Sequence, residues 1–169
     1  FANSIRAMRR HEIERIGLAW MSGVIDDEAS LAGMTDVYDA AIEASLQWAI
    51  QHRINDIQID EAPAAIAIIG MGRYGGREVN FSSDADVIII YRPAEGADDD
   101  QANLFARKVQ EDLRAILQGP TTFEPKIELD MDLRPEGKNG PLVRSYASCE
   151  EYYRSWASTW EHQALLRAR

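Results

Sequence analysis

A single cysteine, Cys149, stands among the 169 residues, so no internal disulfide can staple the fold. That sparing use of cysteine fits a reducing, cytoplasmic compartment. Long apolar runs are also missing: none approaches the roughly 20 residues that a membrane-spanning helix needs, and no signal-peptide pattern opens the chain. Basic residues are in the minority, 18 Lys and Arg against 28 Asp and Glu, which leaves a net charge of −10. Broad contact with nucleic-acid phosphates is therefore not expected. The three histidines, His11, His52 and His162, have no mutual ligand spacing, so no zinc site is expected. An initiating methionine is lacking, and the ending LLRAR carries no helix-stop signal; the chain is expected to be a segment of a longer protein. What remains is an ordinary globular composition, 46% hydrophobic and 27% charged, sufficient for one good-sized core.

Residues 1–60 read as a helical segment. Asn3 or Ser4 is placed to cap a helix running to Gly23, with Ile13, Ile16 and Trp20 on one stripe. A short helix is expected over Asp27 to Met34, and a longer one over Asp36 to Arg53 with Val37, Ala41, Ala44 and Trp48 at helical spacing. The stretch NDIQIDEAP marks a boundary, and residues 61–169 read as a core of mixed α and β, an α+β arrangement. AAIAIIG and VIIIY are buried-type strands. Asp98 to Asp100 precede a helix with Leu104, Phe105, Val109, Leu113 and Ile116 on one face, ended by Gly119 and Pro120. The acidic triplet suits a helix N-terminus and is read as a cap rather than a metal site. KIELDMDL alternates as a strand, with Ile127, Leu129 and Met131 opposite Glu128, Asp130 and Asp132. PEGKNGP is a turn-rich loop. Ser148 with Glu151, and Ser158 with Glu161, match capping boxes, so the chain ends in two short helices or one kinked helix.

The stretch IAIIGMGRYGGREVNFSSDADVIIIY, residues 66–91, contains two competing signals. Gly70, Gly72 and Gly75 fit the dinucleotide-binding spacing G-x-G-x-x-G. A βαβ crossover, however, needs a dozen or more residues, and its acidic residue belongs at the far end of the second strand. Here only residues 77–83 intervene, and Asp84 and Asp86 stand at the start of that strand, so the dinucleotide reading fails on spacing.

The second reading joins both signals. Gly75 and Gly76 let the backbone pass close to a phosphate, with a short helix opening at Arg77 to aim its N–H groups at the anion. Asp84 and Asp86, two apart on a strand edge, project to one side with Cα atoms roughly 6.6 Å apart. Such a pair can converge on Mg²⁺, and IELDMDL offers a third carboxylate from a neighbouring strand. Each piece alone is commonly a turn, a solvated strand end or a wet sheet face. Their order, a strand, twin glycine, short helix, S-D-x-D, strand, helix and acidic strand, is what points to nucleotidyl transfer.

GMGRYGGREVNFSSDADVIIIY, LDMDLRPEGKNGPLVRS and TWEHQALLRAR closely resemble the glutamine-synthetase adenylyltransferase family, within the polymerase-β-type nucleotidyltransferase superfamily. MRRHEIERIGLAWMSG resembles the helical segment that precedes a transferase domain there, so the likeness covers nearly the whole chain. It implies a nucleotidyltransferase-type mixed sheet with flanking helices. It also implies AMP transfer from ATP to a tyrosine of glutamine synthetase, or the phosphorolytic removal of that AMP by a related copy; TWEHQALLRAR is closer to the C-terminal, adenylylating copy. A non-catalytic nucleotide-binding regulatory module is the reading from another class. By resemblance Asp84 and Asp86 take the metal pair, Gly75 and Gly76 the phosphate turn, and Asp130 the third carboxylate. Asp132 stands where many members have arginine and is a second candidate for that third position. Ser83 and Ser82 are candidate phosphate donors; Arg73, Arg77 and Arg167 are candidate phosphate contacts, each with a plain surface pair as the alternative. Gln163 would share a helical face with Arg167. Arg134, Lys138 and Arg144 surround the loop after the acidic strand, where one could stabilise developing charge. Mg²⁺ is the expected cofactor, and glutamine synthetase, a PII-type regulator and glutamine are the expected partners.

Overall fold

The computed structural model describes residues 1–120 and 126–169. Helix α1 (Ala2–Met21) and helix α2 (Asp27–Asp56) come first. Strand β1 (Ala64–Gly70), one-turn helix α3 (Gly72–Gly75), strand β2 (Ala85–Pro93) and helix α4 (Asp99–Gln118) follow. Strands β3 (Leu129–Asp130) and β4 (Val143–Ser145) flank a loop with a 3₁₀ turn at Gly137–Asn139. Helices α5 (Tyr146–Ser155) and α6 (Thr159–Ala164) and a 3₁₀ turn at Leu165–Arg167 complete the order. This is the α+β class: a small mixed sheet with helices around it.

Where two helices with a break at Thr35 are expected, α2 is one 30-residue helix. Asp26 caps it by accepting from the Ala29 N–H at 2.8 Å. Gly33 does not interrupt it, because a Cβ there would lie 3.3 Å from Ile16 Cδ1: the glycine lets α1 pack close. Tertiary packing thus overrides local propensity. The buried face is also turned from the expected one. Met34, Val37, Tyr38, Ala41, Ile42, Leu46 and Ala49 are inside, whereas Trp48 is exposed and stacks on Phe1 and His52 at 5.3 and 4.6 Å. Helix α1 starts at Ala2, ahead of the expected caps Asn3 and Ser4, and of its stripe Ile16 is buried while Trp20 is exposed.

Asp98 caps α4 by accepting from the Gln101 N–H, as the acidic triplet suggests. Phe105, Val109, Leu113 and Ile116 are buried on its inner face, each contributing about 1.5–3 kcal/mol of transfer free energy, while Leu104 lies outside. One apolar cluster runs from Ile16 of α1 through Tyr38 and Leu46 of α2 to Val87 and Ile89 of β2 and Val109 and Leu113 of α4.

β1 and β2 pair antiparallel from Ala64↔Pro93 to Gly70↔Val87, which excludes the parallel crossover of a dinucleotide fold. The other edge of β2 is covered in two steps, both parallel: β3 at its start (Ala85↔Leu129, Asp86↔Asp130) and β4 further on (Ile89↔Val143 to Tyr91↔Ser145). KIELDMDL therefore supplies only a two-residue strand. Its alternation holds for Ile127, Leu129 and Met131, which are buried, but the chain turns away after Asp130. Ser145, not Ser148, caps α5, accepting from the Ser148 N–H at 3.2 Å. The Ser158–Glu161 capping box is present, and Glu161 also accepts from the Tyr152 hydroxyl at 2.7 Å, tying α6 to α5.

Candidate functional site

The start of β2 is fixed from three sides. The Met71 N–H donates to Asp86 O at 2.8 Å from the β1 side, and the Ala85 N–H donates to Glu128 O at 2.7 Å on the β3 side. From α2, the buried Tyr38 hydroxyl donates to Ser83 O at 2.8 Å. Ser83 is buried, and its Oγ accepts from the Asn80 N–H at 3.0 Å, closing the turn that delivers Asp84 to the strand. Ser82 is exposed and folds back on Asn80 Oδ1.

Asp86 and Asp130 are register partners on neighbouring parallel strands, so their Cα atoms stand about 4.8 Å apart. Asp84 lies exposed just before the strand. Burial, then the charge of Asp84, then that of Asp130 push the Asp86 carboxyl above its ordinary range; the Arg73 backbone N–H, which donates to it, and the Arg73 charge work the other way. The structure thus brings Asp84, Asp86 and Asp130 into one field. Asp86 also needs Gly72, which has φ +52° and whose Cβ would sit 2.2 Å from Asp86 Oδ2.

Asp84, Asp130 and Asp132 line one cavity of about 670 Å³ together with Ser83, Arg9 and Tyr38. Arg9 donates to Lys126 O at 3.1 Å and lies over the Tyr38 ring. Neither Arg9 nor Tyr38 carries a local sequence signal for this site; both reach it from helices distant in sequence. Asp132 is differently engaged: Lys138 Nζ lies 3.1 Å and Arg134 Nη1 3.7 Å from its carboxylate. Arg134 is buried, and its guanidinium donates to the carbonyls of Met131, Lys138 and Gly140 at 2.8–3.0 Å. It closes the loop between β3 and β4. Arg144 pairs with Glu136 at 3.0 Å.

The glycine turn is built otherwise than the sequence suggests. The one-turn helix opens at Gly72 rather than at Arg77, which instead has φ +59°. Gly75 ends it, and a Cβ there would fall 2.0 Å from Arg167 O; Gly76 likewise leaves room for the Arg167 side chain. Arg167 pairs with Glu78 at 2.6 Å, and Arg77 with Asp36 at 2.7 Å, both on the surface. Each would have to leave a carboxylate to meet a phosphate. Neither arginine nor the glycine pair lines the cavity of Asp84 and Asp130. Arg73 is exposed, with its backbone at Asp86. Gln163 and Arg167 do not share an α-helical face, because α6 ends at Ala164 and tightens into a 3₁₀ turn.

Hard carboxylate oxygens in mutual repulsion are a donor set suited to a divalent cation. Among the described residues, no group of three or more His, Cys, Asp or Glu side chains is placed to hold a metal ion, and Asp86 does not line the cavity of Asp84 and Asp130. The reason is visible at two of the acids: Asp130 Oδ1 accepts from the Asp132 N–H at 2.7 Å, and Asp86 accepts from the Arg73 N–H.

The family model described as glutamate-ammonia ligase adenylyltransferase matches residues 1–169. A bifunctional glutamine synthetase adenylyltransferase/adenylyl-removing enzyme of Bifidobacterium longum is 78% identical over 169 residues, all of this chain and 16% of that protein. Proteins of the same description from Mycobacterium tuberculosis and Mycobacterium avium are 46% and 44% identical over 96% of the chain, again 16% of their own length. No described helix is long and apolar enough to cross a membrane.

Proposed function

The chain belongs to the glutamate-ammonia ligase adenylyltransferase family, and from that premise we propose that it carries a transfer site of a cytoplasmic enzyme moving AMP from ATP to a tyrosine hydroxyl of glutamine synthetase. One observation carries the reading: Asp86 faces Asp130 across parallel strands, with Asp84 two residues away, and their charges oppose its ionisation. Acids held in mutual repulsion at one strand end are offset by a bound cation.

Mg²⁺ held by Asp84, Asp86 and Asp130 would supply positive charge at the reacting α-phosphate and lower the cost of a tyrosine phenolate, whose free pKa is about 10. The chain's own contribution is positioning. Asp86 is oriented by the α3 backbone, Asp130 by the Asp132 N–H, and the approach to Asp84 by Tyr38 and Ser83. Pre-set geometry of this kind is the main protein contribution to phosphoryl-type transfer. Asp130 is preferred to Asp132 as the third ligand, since Asp132 is already paired with Lys138 and Arg134. Gly75, Gly76, Ser83, Arg73, Arg77 and Arg167 are proposed to approach the triphosphate, Arg77 and Arg167 once their pairs with Asp36 and Glu78 give way. A PII-type protein and glutamine are proposed as regulators.

The test is transfer of labelled AMP from ATP to glutamine synthetase by the full-length protein, with Asp84→Asn and Asp130→Asn. Losses of more than about 10²-fold in kcat without unfolding are expected. If orthophosphate instead releases ADP from adenylylated glutamine synthetase through this site, the direction is the reverse one. Mg-ATP binding without turnover in either direction would mark a regulatory module.

A further inference from the structure

One edge of the sheet is left open. β1 is the outermost strand, and in an antiparallel pair the bonded residues alternate. Pro63 O accepts from the Ala94 N–H across to the β2 side, so the odd-numbered residues of β1 bond to β2. Ala64, Ile66, Ile68 and Gly70 therefore direct their N–H and C=O groups outward. Among the described residues, only Gly70 finds a backbone partner there, and it is Arg169. The Gly70 N–H donates to Arg169 O at 2.8 Å, and the Arg169 N–H donates to Gly70 O at 3.0 Å.

That reciprocal exchange is the mark of an antiparallel bonded pair, and one such pair fixes both direction and register. Polypeptide continuing past Arg169 in extended form runs back along β1. Its second residue meets Ile68 and its fourth meets Ile66. Arg169 is anchored there: its guanidinium donates to Asp39 through two bonds of 2.8 and 2.9 Å and lies over the Tyr74 ring. Beside the edge is a groove of about 760 Å³ lined by Ile42, Leu46, Ile66 and Ile68, with Asp39 and Glu43. Side chains directly opposite one another share a face, so the Arg169 side chain on Asp39 of α2 places every second following residue over that groove.

The chain spans 16% of the length of its curated relatives, so such proteins have polypeptide to occupy the groove. We infer that in the full-length protein the segment after Arg169 adds to β1 as a fifth, antiparallel strand seated on α2. An open apolar edge is an aggregation hazard, and strand addition removes it while meeting the backbone groups of Ile66 and Ile68.

Residue-resolved hydrogen exchange on the full-length protein tests this. The Ile66 and Ile68 amides should exchange on the order of 100-fold slower than open-edge amides, matching Ala65, Ala67 and Ile69, which β2 protects in any case. A cysteine pair reads the occupant and register. Ala67→Cys with a cysteine at the third residue after Arg169 forms a non-bonded pair, with Cα atoms about 4.5 Å apart, and should close a disulfide. A cysteine at the fourth residue, on the opposite face, should not. Fast exchange at Ile66 and Ile68 overturns the inference. So does protection without the predicted cross-link, which would assign the edge to another segment, and so does protection that rises with protein concentration, which would assign it to a second copy.

Discussion

Replacing Asp86 by Asn should stabilise the fold while abolishing transfer. Asp86 carries the strain of the acid group: burial and the charges of Asp84 and Asp130 raise its carboxyl pKa above the ordinary aspartate value. Carboxylates about 5–6 Å apart, at an effective dielectric between about 40 and 80, repel by about 1 kcal/mol per pair, and salt screening reduces this. A net gain of about 1 kcal/mol at pH 7.5 in EDTA is expected, or about 2–4 °C in Tm for a chain of this size. Asparagine keeps an acceptor for the Arg73 N–H, so little is lost in return. The sign with pH follows from linkage. Between the unfolded and the raised folded pKa the native state binds more protons than the unfolded one, so stability from Asp86 is complete below about 3.8 and is lost as pH rises through the folded pKa. The advantage of the variant should therefore be largest at neutral pH and vanish below the ordinary aspartate range. Mg²⁺ should reverse the order, raising the Tm of wild type more than that of the variant. Differential scanning calorimetry across pH, with and without Mg²⁺, is the assay. Equal or lower stability of Asp86→Asn in EDTA at pH 7.5 would refute the idea that the three acids share one field.

Gly72→Ala should cost about 1–3 kcal/mol, from a strained φ and displacement of Asp86, and should impair transfer more than its Tm loss accounts for; thermal melts beside AMP-transfer assays decide. Tyr38→Phe leaves the buried Ser83 carbonyl without its partner and should lose about 1–3 kcal/mol in urea titration, with the m-value unchanged. Arg134→Met strips three carbonyls of a buried donor and should destabilise by about 3–5 kcal/mol, opening the loop between β3 and β4 to limited proteolysis. A loss below about 1 kcal/mol would show that Arg134 does not hold that loop closed.

Local chemistry was readable wherever a residue's job is done by its neighbours in the chain. Asp98 and the Ser158–Glu161 pair announce helix starts, because capping needs only three residues of context. The apolar runs of β1 and β2, and the inner face of α4, declare themselves through periodicity. Asp84 and Asp86 could be singled out as a pair because their spacing sets them on one side of a strand; alternation put Glu128, Asp130 and Asp132 together on one face, and only the family resemblance favoured Asp130 among them. The break expected within α2 and the cap expected at Ser148 fail for one reason: packing against α1 in the first case, and the end of β4 in the second, lie outside the local window.

By itself, then, the order of residues determined the class of fold and the alternation that buries Ile127, Leu129 and Met131, since both follow from periods of two or 3.6 and from short-range bonds. Only the tertiary structure decided that Asp130 pairs with Asp86 while Asp132 turns to Lys138 and Arg134. It likewise decided that the glycine turn makes room for Arg167 and that Arg9 and Tyr38 reach the cavity from distant helices. Those outcomes depend on contacts between residues tens of positions apart, whose distances no local pattern encodes.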